Sequence, residues 1–221
     1  VVQGASNGRS ISNISLKFNL ENDKLALADA KGTVTNLSDL IPNLTDDPAV
    51  ANIVKKFNDE LAPIKNQVLG ELTVDLPHDT NTMQVSPMGQ FIAKTLAEVG
   101  KTQIGVINGG GIRRGFDKGT ITMGLMYELL PFDNYLVTLD LTGAELKKII
   151  QHGIKPKDFR PGQFYGLEVI LEADGTTIKE MRLLDGEPIK DNKVYSVSIL
   201  DYIYTGGAKY NFKNSTNVVE T

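Results

Sequence analysis

No cysteine occurs in the 221 residues of this chain, which excludes a disulfide framework and a thiolate-ligated metal site. Histidine is nearly as scarce, with only His78 and His152. A dinuclear phosphatase centre gathers several imidazoles and carboxylates, and two imidazoles are too few to build one. A Ser-His-Asp arrangement would have to use one of the same pair, and neither lies by a nucleophile-elbow motif. No run of about 18 apolar residues is present, so no transmembrane segment is expected. Basic residues are not in excess: 23 Lys and Arg stand against 27 Asp and Glu, for a net charge of −4 and a pI near 5.3. Gripping a nucleic-acid polymer requires a basic stripe that displaces counterions, so a polymer is not the expected partner, while a single bound nucleotide stays compatible with this charge. Walker A and GxGxxG loops, internal repeats and low-complexity tracts are all missing.

What is present is a hydrophobic fraction of 41%, enough to bury a sizeable core, in a pattern that changes along the chain. Ile14, Leu16, Phe18 and Leu20 alternate, as in a half-buried strand, and Leu25 to Ala30 can pair with it across "ENDK". Two strands make no core of their own, and a chain that opens without Met on such strands reads as the tail of a domain lying upstream. From Asp47 the period becomes helical. Asp47 is the candidate N-cap, Pro48 the first helical residue, and Val50, Ile53, Val54, Phe57 and Leu61 share a face, with Pro63 expected to kink or end the helix. This helix is either a connector on the surface or an ordinary packed helix. Beyond residue 70 helices and strands alternate. Ser86 and Pro87 open a helix with a stripe of Phe91, Ile92, Leu96 and Val99 and a stop at Gly100; "TQIGVIN" is a short buried strand; Thr122 caps a helix to about Leu130; "YLVTLDL" is a strand. Thr142 and Glu145 form a capping box on a helix that Gly153 ends, and "GLEVILE", "IKEMRLL" and "VYSVSIL" are strands. The fold class predicted is α+β (mixed α/β).

The chemistry concentrates in "NGGGIRRGF", residues 108–116. Backbone N–H groups of a glycine triplet can face an anion, or the triplet can be only a tight turn; Arg113 beside it favours an anionic or flat visitor. Arg114 reads as a solvated surface charge, His152 as a cation suited to a helix C-terminus, and the carboxylates of "TDD" and "HDT" as caps and turns. Taken singly, Phe132 and Tyr202 read as core residues.

"INGGGIR", then "GTITMGLMYELLPFDNYLVTLDLTGAELKKII", then "YSVSILDYIYTGGAKY" resemble, in order and spacing from about Glu71 to Phe212, the C-terminal domain of the 5'-nucleotidase family, which includes UDP-sugar hydrolases and 2',3'-cyclic-nucleotide phosphodiesterases. The resemblance implies a layered sandwich of mixed β-sheets flanked by helices. It divides the chain into 1–45, the last strands of a metallophosphoesterase domain; 46–69, an interdomain helix; and 70–221, a substrate-binding domain. It implies a small-molecule nucleotide or nucleoside as ligand, the metallophosphoesterase domain as a partner in cis, and a pair of divalent metals such as Zn or Mn held there, with no cofactor in this chain. Location outside the cytoplasm, extracellular, wall-attached or periplasmic, follows from the same resemblance. Carried over by position, Asn108 hydrogen-bonds the base edge, Gly110 and Gly111 let the ligand approach the backbone, Arg113 contacts ribose or phosphate, and Phe132 and Tyr202 sandwich the base. Two aromatic faces hold a base without reading its identity.

Two departures stand out. The family's "GGDG" is "GGAK" here, so Ala208 replaces a carboxylate that accepts ribose hydroxyls, and Lys209 follows it. A second family arginine would fall near Thr82, where none stands. Three readings remain at this point: the substrate-binding domain of a two-domain hydrolase, a non-catalytic nucleoside-binding module, and an interaction domain whose pocket has decayed.

Overall fold

Strands pair where the alternation of the sequence directs, and among the described residues the large apolar side chains of the first two strands are exposed. The computed structural model describes residues 3–5, 8–21, 23–41, 44–79, 85–155 and 159–220. The chain divides into two compact units, residues 1–61 and 62–221. In the first, β1 (Ser10–Glu21) and β2 (Lys24–Asn36) form an antiparallel ribbon with a bulge at Lys17/Phe18, followed by the short α1 (Leu37–Leu40) and by α2 (Pro48–Lys65). The half-burial expected of β1 is not found: Ile14, Leu16, Phe18 and Leu20 are all at least half exposed, because a two-stranded ribbon offers each strand one neighbour and no facing layer. Asp47 does cap α2, accepting from the backbone N–H groups of Ala49 and Val50. Pro63 neither ends the helix nor stops it short; α2 runs on to Lys65. Proline sits in the last turn, where it removes one helical hydrogen bond and leaves the remaining ones in place.

The second unit runs β3 (Val68–Leu72), α3 (Pro87–Gly100), β4 (Ile104–Ile107), β5 (Gly119–Thr122), α4 (Met123–Leu129), β6 (Leu136–Thr142), α5 (Gly143–Ile154), β7 (Gln163–Tyr165), β8 (Leu167–Leu171), β9 (Ile178–Leu183), β10 (Val194–Leu200), α6 (Asp201–Tyr204) and β11 (Thr216–Glu220). Its centre is a five-stranded sheet in the order β11-β6-β10-β4-β7. β10 and β4 are parallel and the other pairs antiparallel; β3 pairs with β5 and β8 with β9. The layered α+β arrangement with mixed sheets is therefore present.

Two apolar cores explain the strand patterns. One gathers Ile104, Val106, Val137, Leu139, Leu141, Tyr195, Val197 and Ile199 of the sheet with Leu146, Ile149 and Ile150 of α5. The other joins Ile107 and Leu200 to Met88, Ile92 and Ala93 of α3 and to Ile112, Phe116 and Leu129. β4 feeds both, which is why "IGVI" is an uninterrupted apolar run and not an alternating one. α3 packs so tightly on the sheet that a Cβ at Gly105 would fall 1.8 Å from the Ala93 carbonyl oxygen. Ser86 caps α3 through Gly89 N–H as expected, but the buried stripe is rotated: Met88, Gly89, Ile92, Ala93 and Ala97 are inside while Phe91 and Val99 are exposed. Small residues are what this close contact admits. The left-handed residue after α3 is Lys101, not Gly100. Thr122 and Thr142 cap α4 and α5 as their spacing predicts, and α5 continues one residue past Gly153.

Because overpacking against backbone costs about 1–3 kcal/mol or more, Gly105→Ala is expected to lower the urea midpoint clearly. Gly70→Ala, with nothing within 4 Å of its new methyl, is the control and should stay near wild type. Equal midpoints for the two variants would show that α3 is free to move off the sheet.

Candidate functional site

β4 ends at Ile107, and the chain turns at once, with Gly111 N–H donating to the Asn108 carbonyl at 3.0 Å. The turn is pressed against a distant segment. A Cβ at Gly109 would lie 2.1 Å from the Pro161 carbonyl oxygen and 3.4 Å from Arg160 Cβ, so only glycine fits. Ile112 is fully buried behind the turn and Arg113 N–H donates to the Leu129 carbonyl. That anchor delivers the Arg113 side chain to the turn, where its Nη1 donates to the Gly110 carbonyl at 3.1 Å. Arg114 points elsewhere, pairing with Glu128 on the surface.

Phe132 comes from the loop before β6 and Tyr202 from α6 after β10, and a reciprocal pair of hydrogen bonds ties the two segments. Asp201, opening α6, accepts from Tyr135 N–H at 3.1 Å and donates its own N–H to the Tyr135 carbonyl at 3.0 Å. This ties the Phe132 loop to the helix turn that carries Tyr202. Neither ring is core: Phe132 is 52% and Tyr202 44% exposed. After α6 the backbone enters the left-handed region at Gly206, Ala208 and Lys209, with φ of 100°, 50° and 62°. Ala208 N–H donates to the Tyr202 hydroxyl at 3.3 Å, and His152 Nε2 lies 2.9 Å from the Ala208 carbonyl. His152 thus braces this turn, a contact that its position at a helix end did not reveal.

Asn108, Gly110, Gly111, Arg113, Phe132 and Tyr202, all named from the sequence, line one cavity of about 290 Å³, together with Asn134, Phe159, Arg160 and Ala208. Ala208 is marked in the sequence as the position of the replaced family carboxylate; Asn134, Phe159 and Arg160 are not singled out there, and for the last two the only signal is an aromatic-cation pair in "FRPG". A wider depression of about 410 Å³ lies along α5 and β9, but its Lys147 and Lys148 are already paired with Asp191 and Glu145. The position near Thr82, where the family arginine is lacking, lies outside the described residues. Among the described residues no group of three or more His, Asp or Glu could hold a metal ion.

A polar network backs the glycine turn. His78 Nδ1 lies 2.6 Å from Ser86 Oγ and its Nε2 3.4 Å from the Gly109 carbonyl oxygen; the fully buried Gln163 accepts from Ser86 N–H at 2.9 Å. Burial holds the His78 pKa below its ordinary value, the Gly109 carbonyl opposes this, and the nearby Arg160 charge lowers it further.

The model of the "5'-nucleotidase, C-terminal domain" family matches residues 68–214. The "Endonuclease YhcR" of Bacillus subtilis (strain 168) is 28% identical over 211 residues, 95% of this chain and 17% of that protein. A "Probable 5'-nucleotidase" of Treponema pallidum (strain Nichols) is 30% identical over 199 residues, 78% of this chain and 33% of that protein. Among solved structures, the 5'-nucleotidase precursor of Thermus thermophilus is similar in fold, with a TM-score of 0.73 at 24% identity over 97% of this chain and 44% of that one. The chain thus spans from a sixth to under half of the length of these proteins.

A histidine with a lowered pKa in the fold takes up its proton first in the unfolded chain. Stability is therefore complete above the ordinary pKa of 6.5 and declines as pH falls below it. Thermal melts on either side of that pH are expected to show this loss, and His78→Gln should reduce it. An unchanged pH slope in the variant would mean that His78 is not the group responsible.

Proposed function

The chain belongs to the 5'-nucleotidase C-terminal domain family, and from that premise we propose that it is the substrate-binding domain of an exported nucleotide phosphohydrolase. On this reading the base lies between Phe132 and Tyr202, Asn108 meets its edge, Gly110 and Gly111 give the ligand access to backbone, and Arg113 holds ribose or phosphate. The observation that carries the reading is that two half-exposed rings, one from the loop before β6 and one from α6, share one cavity on segments tied together through Asp201 and Tyr135. Exposed aromatic faces of fixed separation are what stacking on a base requires. The cavity is close to the lower end of ligand-site volumes, about 300 Å³, in keeping with a small-molecule nucleotide. The chain's part is binding and orientation. The phosphate would be presented to a divalent metal pair in a metallophosphoesterase domain in cis, to which residues 1–45 contribute strands and 46–69 the connecting helix. Export to the cell surface or periplasm belongs to the same reading; no described helix is long and apolar enough to cross a membrane.

Replacing Phe132 by Ala removes one stacking face and is expected to weaken adenosine binding by about 1–3 kcal/mol, tenfold or more. Its melting temperature should hardly change, because a half-exposed ring leaves no core cavity. Tyr202→Phe keeps its face and should bind nearly as well, losing only the hydroxyl that receives Ala208 N–H. Calorimetry with adenosine, adenine and AMP decides the matter: the clamp is wrong if the wild-type chain binds none of them, or if Phe132→Ala binds as tightly as wild type.

A further inference from the structure

The polar network behind the glycine turn can take up one more proton without moving a heavy atom. A carbonyl only accepts, so the His78 Nε2 that faces the Gly109 oxygen at 3.4 Å carries hydrogen. On the other side of the ring, Nδ1 lies 2.6 Å from Ser86 Oγ. That oxygen accepts from Gly89 N–H at 2.9 Å and lies 3.3 Å from Gln163 Oε1, so the single hydroxyl hydrogen of Ser86 has two acceptors within reach. With His78 neutral, the hydrogen goes to Nδ1. With His78 charged, Nδ1–H donates to Ser86 Oγ and the hydroxyl turns to Gln163 Oε1, which already receives Ser86 N–H at 2.9 Å. Every group is served in both states, and rotation of one hydroxyl separates them. Both ends of this relay reach the turn. His78 faces the Gly109 carbonyl directly, while Gln163 Nε2 donates at 3.4 Å to the Pro161 carbonyl, the oxygen packed against Gly109. Gly109 in turn stands between Asn108 and Gly110, which line the cavity.

Resting on the proposed nucleotide site, in which Arg113 beside Gly110 holds ribose or phosphate, we propose that His78 is a proton-linked positioning residue: an anionic nucleotide entering the cavity draws a proton onto His78, and the imidazolium then fixes Gly109. The proton comes from water or buffer and returns there when the ligand leaves; no bond to the ligand forms or breaks. Ser86 and Gln163 are fully buried, and the charged groups that bear on the ring are Arg160, on the segment before β7, and Asp79, its neighbour in sequence. Burial and the Arg160 charge disfavour the imidazolium, and Asp79 favours it. A bound anion adds attraction on the favourable side, in surroundings less polar than water. The charged Nε2–H then makes a stronger bond to the Gly109 carbonyl than a neutral ring does, so the turn is held most firmly when the anion is in place. A neutral nucleoside exerts no such pull. Coupling of this kind is reciprocal: a ligand that raises the proton affinity of His78 must itself bind more tightly as the ring gains its proton.

The chain has only two histidines, so proton NMR of the imidazoles follows each titration separately, and the resonance missing from His78→Gln is that of His78. Titrations of the full 221-residue chain are compared alone, with saturating 5'-AMP and with saturating adenosine. The His78 midpoint is expected to rise with AMP and to stay near its free value with adenosine. Calorimetry gives a second reading, because AMP's own phosphate, with a pKa of about 6, titrates equally against wild type and His78→Gln and cancels in their ratio. From about pH 7.5 to about pH 5.5, the wild-type AMP affinity relative to the variant's should rise about threefold or more, while the same ratio for adenosine stays level. An AMP-bound midpoint at or below that of the free chain overturns the proposal, as does an AMP ratio that is flat with pH. If His78→Gln fails to fold, His152→Gln assigns the two resonances and the wild-type midpoints decide. Binding of both ligands with an unmoved midpoint leaves the nucleotide site standing and removes only the proton link; failure of both ligands to bind removes both.

Discussion

The cavity depends on how closely backbone can approach backbone around β4. This strand is buried on both faces, and at each end a glycine admits a carbonyl from another element: Ala93 of α3 against Gly105 and Pro161 against Gly109. The first contact sets the distance between helix and sheet and hence the depth of the core formed by Met88, Ile92 and Ile107. The second fixes the glycine turn against the segment that carries Phe159 and Arg160. Since packed interiors are about as dense as organic crystals, neither contact has slack, and the polar network of His78, Ser86 and Gln163 locks the turn from behind. The lining residues between Asn108 and Arg113 on one side, and Phe159 and Arg160 on the other, inherit their positions from these approaches.

The part of the cavity lined by Ala208 and Tyr202 is held by hydrogen bonds to strained backbone. Ala208 and Lys209 occupy a region that L-residues avoid, and such geometry persists only where the surroundings over-determine it. Here the Tyr202 hydroxyl receives Ala208 N–H from one side and His152 reaches the Ala208 carbonyl from the other. The same tyrosine lines the cavity, so the strained turn and the ring orientation are one unit.

Much of this was legible in the sequence. Caps at Asp47, Ser86, Thr122 and Thr142 followed from local hydrogen bonding, which needs only residues three or so apart. The six residues from Asn108 to Tyr202 were named because their order and spacing resemble a known family, and they line one cavity. What was hidden was nonlocal. Phe159 and Arg160 meet the glycine turn across some fifty residues, and nothing in "FRPG" announces the partner. Period 2 in Ile14 to Leu20 tells which side is apolar, not whether a layer lies over it, so β1 was expected to be half-buried and is exposed. Phe91 and Val99 fit a helical stripe, but the face of α3 that goes inside is the one with residues small enough for the sheet's approach. β3, β5 and β7, at three to five residues, are too short to show a period at all.

On the proposed reading, the division of labour has a physical logic. A phosphoester is a small target whose own contacts can supply little affinity before the transition state, and binding energy is best drawn from parts of the substrate that do not react. On that reading, base stacking between Phe132 and Tyr202 supplies affinity that does not depend on base identity and lies away from the reacting bond. The arginines add direction: in a cavity walled by aromatic rings and backbone, their charge is less screened than on the open surface, and it turns the phosphate-bearing side of the ligand toward themselves. Arg160 reaches the cavity lining because glycine at position 109 lets the Pro161 backbone come within contact distance.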